Sequence, residues 1–305
     1  MIALVTSLSA LAALAAAGYV GRWLVLRKTA DTRTMSAFVY YFAIPSLLFV
    51  KAAGLRLGWD DVWIVVGSVA PLAVVFALLL CLHLVRVLSR PRFVVAALSV
   101  VFGSNAFFGL AFFQTLYGDD GLRGPVIAAT LLGLLGVLST VLLLAYGSGG
   151  GQAQFGLWRV VCSPPIMAVF AGLILSVADW RPVVLLQPFE MFGRAAPALA
   201  VFVLGMFIHD HLGRRMLARS LPYALVRVIG LPLAGALMIG LGRETFGDAA
   251  EFLFLQTGVP AAVSVAIFAE RYQFMVDELT GMVVFTSVVS FPLFAVLYAV
   301  SGWLL

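Results

Sequence analysis

Long apolar stretches alternate with short polar connections along nearly the whole chain. In an amphipathic helix the apolar positions recur every three to four residues, and in an amphipathic strand every two. Here apolar residues continue without polar interruption. A helical run of about 20 apolar residues is long enough to cross the hydrocarbon core of a bilayer. We therefore predict an all-α membrane protein with ten spans, at residues 2–25, 36–53, 62–85, 93–117, 124–146, 157–177, 183–208, 219–241, 249–270 and 277–304.

Two of these apolar stretches carry, in their middle, residues that a continuous helix avoids. The fourth span contains Phe102–Gly109 with a Gly-Ser-Asn run, and the ninth contains Gln256–Ala262 with a Gly-x-Pro run. Such residues signal turns. Within hydrocarbon, non-helical backbone is tolerated only where protein buries it or where it lines a watery cavity. Two interrupted spans in corresponding halves indicate the binding site of a transporter.

A weak internal repeat relates residues 1–146 to residues 157–305. The Gly-rich segment 147–156 lies between them and is predicted to be a linker. Each half contains five predicted spans, so the second half enters the membrane in the opposite sense and the repeat must be inverted. Three patterns recur in the same order: Ala-x-Pro-x-Leu at 43–47 and 195–199, Pro-Leu-Ala at 71–73 and 232–234, and a Gly-x-Asn-Ala or Gly-x-Pro-Ala pattern at 103–106 and 258–261.

Composition and charge agree with this interpretation and exclude other classes of protein. Hydrophobic residues make up 63% of the chain and charged residues 11%, with a mean hydropathy of +1.10, whereas soluble domains are about half apolar and a quarter charged. The chain has too little polar sequence for an extramembrane catalytic or nucleic-acid-binding domain. Loops after odd-numbered spans hold twelve Lys and Arg residues, and loops after even-numbered spans hold five. The positive-inside rule then places the odd loops, with segment 147–156, in the cytoplasm and both termini outside the plasma membrane.

The two breaks supply most of the candidate substrate-binding residues. Pro260 lacks an N–H and clashes with the carbonyl one turn earlier, so the ninth span should kink or unwind. Unwinding exposes half-helix N-termini, whose N–H groups and positive partial charge suit a carboxylate. An ordinary proline kink, with Asn105 bonded between helices, is the alternative. The predicted site comprises Gly103, Ser104, Asn105, Gln256, Thr257, Gly258, Val259 and Pro260.

Two arginines lie inside predicted spans, where an isolated cation is costly and usually faces a cavity or a partner. Arg194 stands three residues before Pro197, and Arg227 stands five residues before Pro232. The planar guanidinium matches carboxylates, so we predict that both arginines take part in substrate binding or gating. The alternatives are snorkelling to the membrane surface and, for Arg194, a pair with Glu190 one turn away.

Other polar residues carry weaker indications. Glu251 is a candidate proton-coupling carboxylate, although acids are common at helix N-termini. His209 and His211 lack further metal ligands nearby, and Cys81 and Cys162 have no metal or disulfide spacing. No phosphate-binding loop or nucleophile motif is present, so we expect neither an enzyme nor a bound cofactor or metal. Three hydroxyls either line a path or bond to helix backbone: Thr286, Ser287 and Ser290.

The motifs together resemble the auxin efflux carrier family, which includes plant auxin carriers and bacterial malonate-carrier-like proteins. They follow the family order along nearly the whole chain: Tyr40–Phe49, Gly103–Leu110, Ser163–Ala168, Ala196–Ala200, Arg227 with Pro232, Gly258–Ala261 and Thr286–Pro292. One departure is the sequence Gly109-Leu-Ala111, where family members usually have a proline shortly after the glycine.

The resemblance implies a 5+5 inverted repeat in which broken helices 4 and 9 cross. Helices 1, 2, 6 and 7 would form a scaffold and helices 3–5 and 8–10 an elevator-type transport domain, in a homodimer joined through the scaffold. The implied substrates are small organic anions, held by Asn105 and the region of Pro260. The helix-break or hinge positions are Pro45, Gly109, Pro197 and Pro260.

We therefore predict a secondary active or facilitative transporter of a small carboxylate, working by alternating access. Auxin-like acids, malonate and other mono- or dicarboxylates all remain open as substrates. A sodium-coupled symporter of the bile acid type is one alternative, and a non-transporting membrane sensor or a channel is another.

Overall fold

In the computed structural model, regular structure is helical throughout the residues that it describes: 2–55, 58, 61–118, 121, 123–148, 162, 164–180, 183–211 and 213–304. The helices are α1 (Ile2–Leu24), α2 (Thr29–Phe38), α3 (Ile44–Gly54), α4 (Val62–Leu84), α5 (Arg90–Val101), α6 (Leu110–Tyr117), α7 (Arg123–Gly147), α8 (Pro164–Val177), α9 (Val183–His211), α10 (Arg214–Leu225), α11 (Leu231–Phe246), α12 (Ala250–Gln256), α13 (Val263–Tyr272) and α14 (Val276–Leu304). Short π-helical segments occupy Val39–Ala43, Asn105–Gly109 and Val226–Gly230, and a 3₁₀ turn occupies Gly247–Ala249.

Five stretches in the described ranges are long and apolar enough to cross a membrane. They are Thr29–Gly54, Val62–Leu84, Arg123–Gly147, Leu186–Asp210 and Met216–Gly242. A sixth consists of Val276–Ser290 and Pro292–Trp303, which meet at 51°. These helices confirm an integral membrane protein of the all-α class.

The count of ten spans in an inverted repeat stays a prediction. The fourth and ninth predicted spans are divided into shorter helices. Residues 157–161 and 163, at the start of the predicted sixth span, lie outside the described residues, as does most of the predicted linker, from residue 149 onward. The bend at Pro292 was not predicted; a proline there removes one backbone donor from α14.

Small residues bring α1 and α9 into close contact. A methyl group at Gly205 would overlap the carbonyl of Ala15, and one at Gly18 would overlap the carbonyl of Phe202. Helices in a membrane associate largely through such close packing of small residues. The α3–α8 contact is similar, because a methyl at Gly172 would lie 2.6 Å from the Cβ of Ala52.

The remaining helices surround the two broken spans. Helix α4 packs on α5 and α11, α5 packs on α7, and α14 packs on α10 and α13. Among the described residues, buried side chains around the breaks form a larger and a smaller apolar cluster, and each break separates a helix of the larger cluster, α5 or α13, from a helix of the smaller one, α6 or α12. The breaks are therefore enclosed by protein, as non-helical backbone at membrane depth must be.

Candidate functional site

Both predicted breaks are interruptions of helix in the structure. Helix α5 ends at Val101, and helical backbone resumes at Asn105. Helix α12 ends at Gln256, and α13 begins at Val263. The fourth span is thus interrupted without any proline, at the Gly-Ser-Asn run.

The two interruptions pair with each other, and we call the paired segments, residues 102–104 and 257–262, the crossover. The N–H of Ser104 donates to the carbonyl of Pro260 at 2.8 Å, and the N–H of Ala262 donates to the carbonyl of Phe102 at 2.9 Å. Together they form an isolated antiparallel bridge. Each break therefore satisfies backbone groups of the other, which hydrocarbon could not do.

Arg227 holds the crossover together from the eighth predicted span. It lies in the π-helical segment Val226–Gly230 and is 3% exposed. Its Nε donates to the carbonyl of Val259 at 2.7 Å, and its Nη1 donates to the carbonyls of Ser99 and, at 3.2 Å, Val100. The last two acceptors are at the C-terminal end of α5, where carbonyls lack intrahelical partners and the helix dipole is negative. The guanidinium thus neutralises the end of one half-helix and ties it to the other break.

Because Gly103 has no side chain, Arg227 and Asn105 can occupy the space beside its Cα. A Cβ at this position would overlap Nη2 of Arg227 and would lie 2.8 Å from Nδ2 of Asn105. On the other side of the asparagine, a Cβ at Gly109 would lie 3.8 Å from its Oδ1. The two glycines therefore flank the asparagine amide.

Three predicted polar side chains differ in how they are used. Asn105 and Gln256 are each 6% exposed, and within the described part of the chain neither amide forms a hydrogen bond. Thr257 is committed locally, because its hydroxyl donates to the carbonyl of Phe254 at 2.6 Å. Asn105 is thus a buried amide with unused hydrogen-bonding capacity, whereas the hydroxyl of Thr257 has its donor committed; neither side chain lines the two cavities described below.

Hydroxyl groups of α14 support the ninth-span break. The Thr286 hydroxyl accepts a hydrogen bond from the N–H of Ala261 at 3.2 Å and donates to the carbonyl of Met282 at 2.9 Å. Ser290 donates to the carbonyl of Gly258 at 2.9 Å. Thr286 and Ser290 thus bond to backbone, whereas Ser287 both bonds to backbone and lines the cavity described below.

Backbone acceptors and donors at the crossover are used unequally. Six carbonyls of the crossover accept bonds from backbone, serine or arginine: those of Phe102, Ser104, Gly258, Val259, Pro260 and Ala262. Those of Gly103, Thr257 and Ala261 accept none within the described ranges. The first N–H groups of a helix have no partner within it. For Asn105, Val263 and Ser264 these groups also donate no bond elsewhere in the described ranges. Two half-helix N-termini, each with positive partial charge, thus lie at the crossover.

A cavity of about 240 Å³ lies against the crossover, between α1, α9 and α14. Among the described residues that line it, the polar ones are Ser104 and Ser287, and the Ser287 hydroxyl also donates to the carbonyl of Val283 at 2.7 Å. The rest of the lining is apolar: Ala12, Ala15, Phe108, Val201, Leu204, Ile208, Pro260, Val263, Val284 and Val288. A second, smaller cavity of about 40 Å³ lies between the crossover and the α3–α7 pair, and Ser104 lines both.

The structure does not bring Arg194 to this site. Its side chain is 83% exposed and pairs with Glu190 at 3.4 Å, and it lines neither cavity. Helix α9 runs through position 197; the side chain of Pro197 lies outside the described residues. Pro45 follows a π-helical segment at the start of α3.

The other polar candidates have structural partners. The carboxylate of Glu251 accepts a hydrogen bond from the Tyr117 hydroxyl at 3.0 Å. Asp210, between the two histidines, pairs with Arg22 at 2.7 Å and accepts a bond from Thr32 at 2.8 Å. Among the residues that the structure describes, no group of three potential metal ligands occurs.

Comparison with known proteins identifies the family. The sequence profile of the family described as "Membrane transport protein" matches residues 3–298, nearly the whole chain. The chain belongs to this family. The resemblance to the auxin efflux carrier family is thereby confirmed, and this membrane transport protein is placed among transporters rather than enzymes.

A curated relative of this membrane transport protein is the lysosomal cholesterol signaling protein of Mus musculus. The two are 25% identical over 317 residues, which cover 94% of this chain and 36% of the mouse protein. The chain thus spans about a third of the length of that relative.

Proposed function

We propose that this protein is a carrier for an organic anion, with the anionic group bound at the crossover. The observation that carries the proposal is the unequal use of backbone groups there. Most of the crossover carbonyls are occupied by protein donors, whereas the first N–H groups of two half-helix N-termini donate no bond within the described ranges. Such termini are favourable sites for carboxylates. The buried Asn105 amide adds a further donor.

The cavity beside the crossover favours an acid with an apolar body. Its lining is apolar apart from two serines. A second carboxylate, as in malonate, would lie in this apolar space without a partner, and burying an unpaired charge is costly. An aryl or alkyl monocarboxylate would place its carboxylate toward Ser104 and its apolar part against Val201, Leu204 and Val288.

Alternating access is proposed because two separate cavities meet the crossover, one against α1, α9 and α14 and the other against α3 and α7, and both include Ser104. In this proposal a transport domain of α4–α7 and α10–α14 moves against a scaffold of α1–α3, α8 and α9. The inverted repeat, a homodimer joined through the scaffold, and a plasma-membrane location with both termini outside belong to the same proposal.

Charge movement in proteoliposomes tests this function. Purified protein is challenged with indole-3-acetate, benzoate, lactate and malonate, and saturable currents are expected for the first two. Asn105→Ala and Ser104→Ala should each raise KM about tenfold or more, since a hydrogen bond to a charged group contributes about 1.5–3 kcal/mol. Ser148→Ala is the matched control, because the Ser148 hydroxyl bonds the Leu144 carbonyl and lines neither cavity. Currents that are unchanged in both site variants would place the substrate elsewhere.

A non-transporting sensor for an apolar ligand is a second candidate. The apolar cavity lining favours it, as does the similarity to a protein named for cholesterol signaling. Saturable binding of a sterol by wild-type protein, lost when Val201→Trp fills the cavity and without current from any acid, would support the sensor over the carrier.

A further inference from the structure

A third cavity opens at the end of the α3–α7 pair, and we call it the α3–α7 vestibule. It has a volume of about 660 Å³ and lies where α3 ends and α7 begins. Two cations stand in a mainly apolar lining, which consists of Val50, Lys51, Gly54, Leu55, Arg123, Val126, Ile127 and Thr130.

The vestibule leads toward the crossover. The small cavity that reaches Ser104 is lined by the next turns of the same two helices, at Leu47 and Leu48 of α3 and at Gly133 of α7. Lys51 and Leu47 are one helical turn apart, and so, approximately, are Thr130 and Gly133. The two cavities therefore follow each other along one helix pair, from the end of the pair to the crossover.

The two cations of the vestibule differ in their partners. Arg123 binds Asp61 through Nε at 3.2 Å and Nη2 at 3.1 Å, and that carboxylate also accepts the N–H of Gly58 at 2.8 Å. Lys51 is half-buried, and it forms no ion pair or hydrogen bond within the described part of the chain. Among the described residues that line the vestibule, none is acidic.

We propose that Lys51 captures the organic anion in the α3–α7 vestibule before it moves to the crossover; this rests on the proposed function. A half-buried ammonium with no counter-charge among the described residues is partly desolvated, and a carboxylate beside it restores the lost interaction. An ammonium is a compact, strongly hydrated point charge rather than a bidentate fork. It therefore suits a transient stop from which the anion must leave. Under the predicted topology, this vestibule faces the non-cytoplasmic side.

A cysteine-labelling experiment tests the charge of the vestibule without any substrate. Val126, which lines the vestibule and is 38% exposed, is replaced by cysteine in a Cys81→Ser, Cys162→Ser background. The rates of reaction with sulfonatoethyl and trimethylammonioethyl methanethiosulfonate are then compared. Lys51→Gln should lower the anionic-to-cationic rate ratio about thirtyfold, because the two reagents differ by two charges and each charge interacts with a nearby ammonium even in water.

Two controls accompany the labelling. Lys51→Arg keeps the charge and should keep the ratio. A cysteine at Leu84, which is 71% exposed at the end of α4 and outside the vestibule, should show no effect of Lys51→Gln. An unchanged ratio at position 126 in Lys51→Gln would overturn the proposal.

Transport measurements then ask whether the captured anion is the substrate. With indole-3-acetate as the probe, Lys51→Gln should raise KM about three- to tenfold and leave kcat unchanged, and Lys51→Arg should retain the wild-type KM. A changed labelling ratio with an unchanged KM would overturn Lys51 as the capture group. If the wild type transports none of the tested acids, the proposed function fails, whereas the labelling ratio still decides whether Lys51 makes the vestibule selective for anions.

Discussion

Removing the guanidinium of Arg227 should destabilise the fold more than any other single change at the crossover. The side chain is 3% exposed and holds three backbone carbonyls. A hydrogen bond from a charged donor contributes about 1.5–3 kcal/mol, and each buried carbonyl left without a donor loses that interaction. Part of the cost is offset because a buried charge is also removed. For Arg227→Gln we expect a net loss of about 3–5 kcal/mol.

The conservative variant separates charge from geometry. Arg227→Lys keeps the positive charge but carries only one nitrogen, which cannot reach carbonyls on both breaks in the way that the guanidinium does. We expect a loss of about half the Arg227→Gln value. Equal losses for both variants would show that the fork geometry, rather than the charge, is what stabilises the crossover.

The assay is thermal unfolding of purified protein in detergent, followed by tryptophan fluorescence. At about 2–4 °C per kcal/mol for a chain of this size class, Arg227→Gln should lower Tm by about 10 °C. Arg194→Gln is the matched control, because the Arg194 side chain is 83% exposed and makes one pair at the surface; exposed pairs contribute about 0–1 kcal/mol. If Arg227→Gln keeps the wild-type Tm but abolishes transport, Arg227 binds substrate and does not stabilise the crossover.

Three further changes test other parts of the structure. Gly103→Ala should lower Tm by several degrees, because its Cβ overlaps the buried guanidinium; a wild-type Tm would show that the guanidinium can move aside. Thr286→Val should cost about 1–2 kcal/mol by denaturant unfolding, since it removes the acceptor of a backbone N–H, whereas Thr286→Ser should cost less than half of that. The guanidinium of Arg123 and a backbone N–H hold the pKa of Asp61 below its ordinary value of 3.8. The pKa of Asp61 is therefore lower in the folded state than in the unfolded state. The stability that ionised Asp61 contributes is fully present above the unfolded-state pKa and is lost as pH falls through the folded-state pKa. The Tm difference between wild type and Asp61→Asn should stay constant above about pH 5 and shrink below about pH 4; a constant difference down to pH 3 would contradict the pairing.

The helix breaks could be predicted from sequence because their causes are local. A Gly-Ser-Asn run and a proline within apolar stretches disfavour continuous helix whatever surrounds them. The three π-helical segments could not be predicted, since each depends on the packing of neighbouring helices. The pairing of Ser104 with Pro260 also joins residues far apart in the chain, which local patterns do not reveal.

The two intramembrane arginines show the limit of sequence reasoning most clearly. Arg194 and Arg227 both stand a few residues before a proline in an apolar span, and the sequence gives similar reasons to place either at the site. The Arg194 side chain is 83% exposed and paired at the surface, whereas the Arg227 side chain is buried against backbone carbonyls. Which face of a helix points inward is decided by its partners. Sequence patterns assign no role to Lys51 for the same reason, since its cavity is formed jointly with α7.

The use of backbone groups at the crossover also bears on the coupling ion. In sodium-coupled carriers with broken helices, unwound carbonyls and half-helix C-termini coordinate the cation. Here the carbonyls of Ser99, Val100 and Val259 are occupied by Arg227, and that of Gly258 by Ser290. A sodium ion at these carbonyls would have to displace a buried guanidinium of the same charge. We therefore expect currents to persist when N-methylglucamine replaces sodium. Currents that vanish would mean that the guanidinium leaves its carbonyls during transport, so that Arg227 would be a moving gate rather than a fixed support.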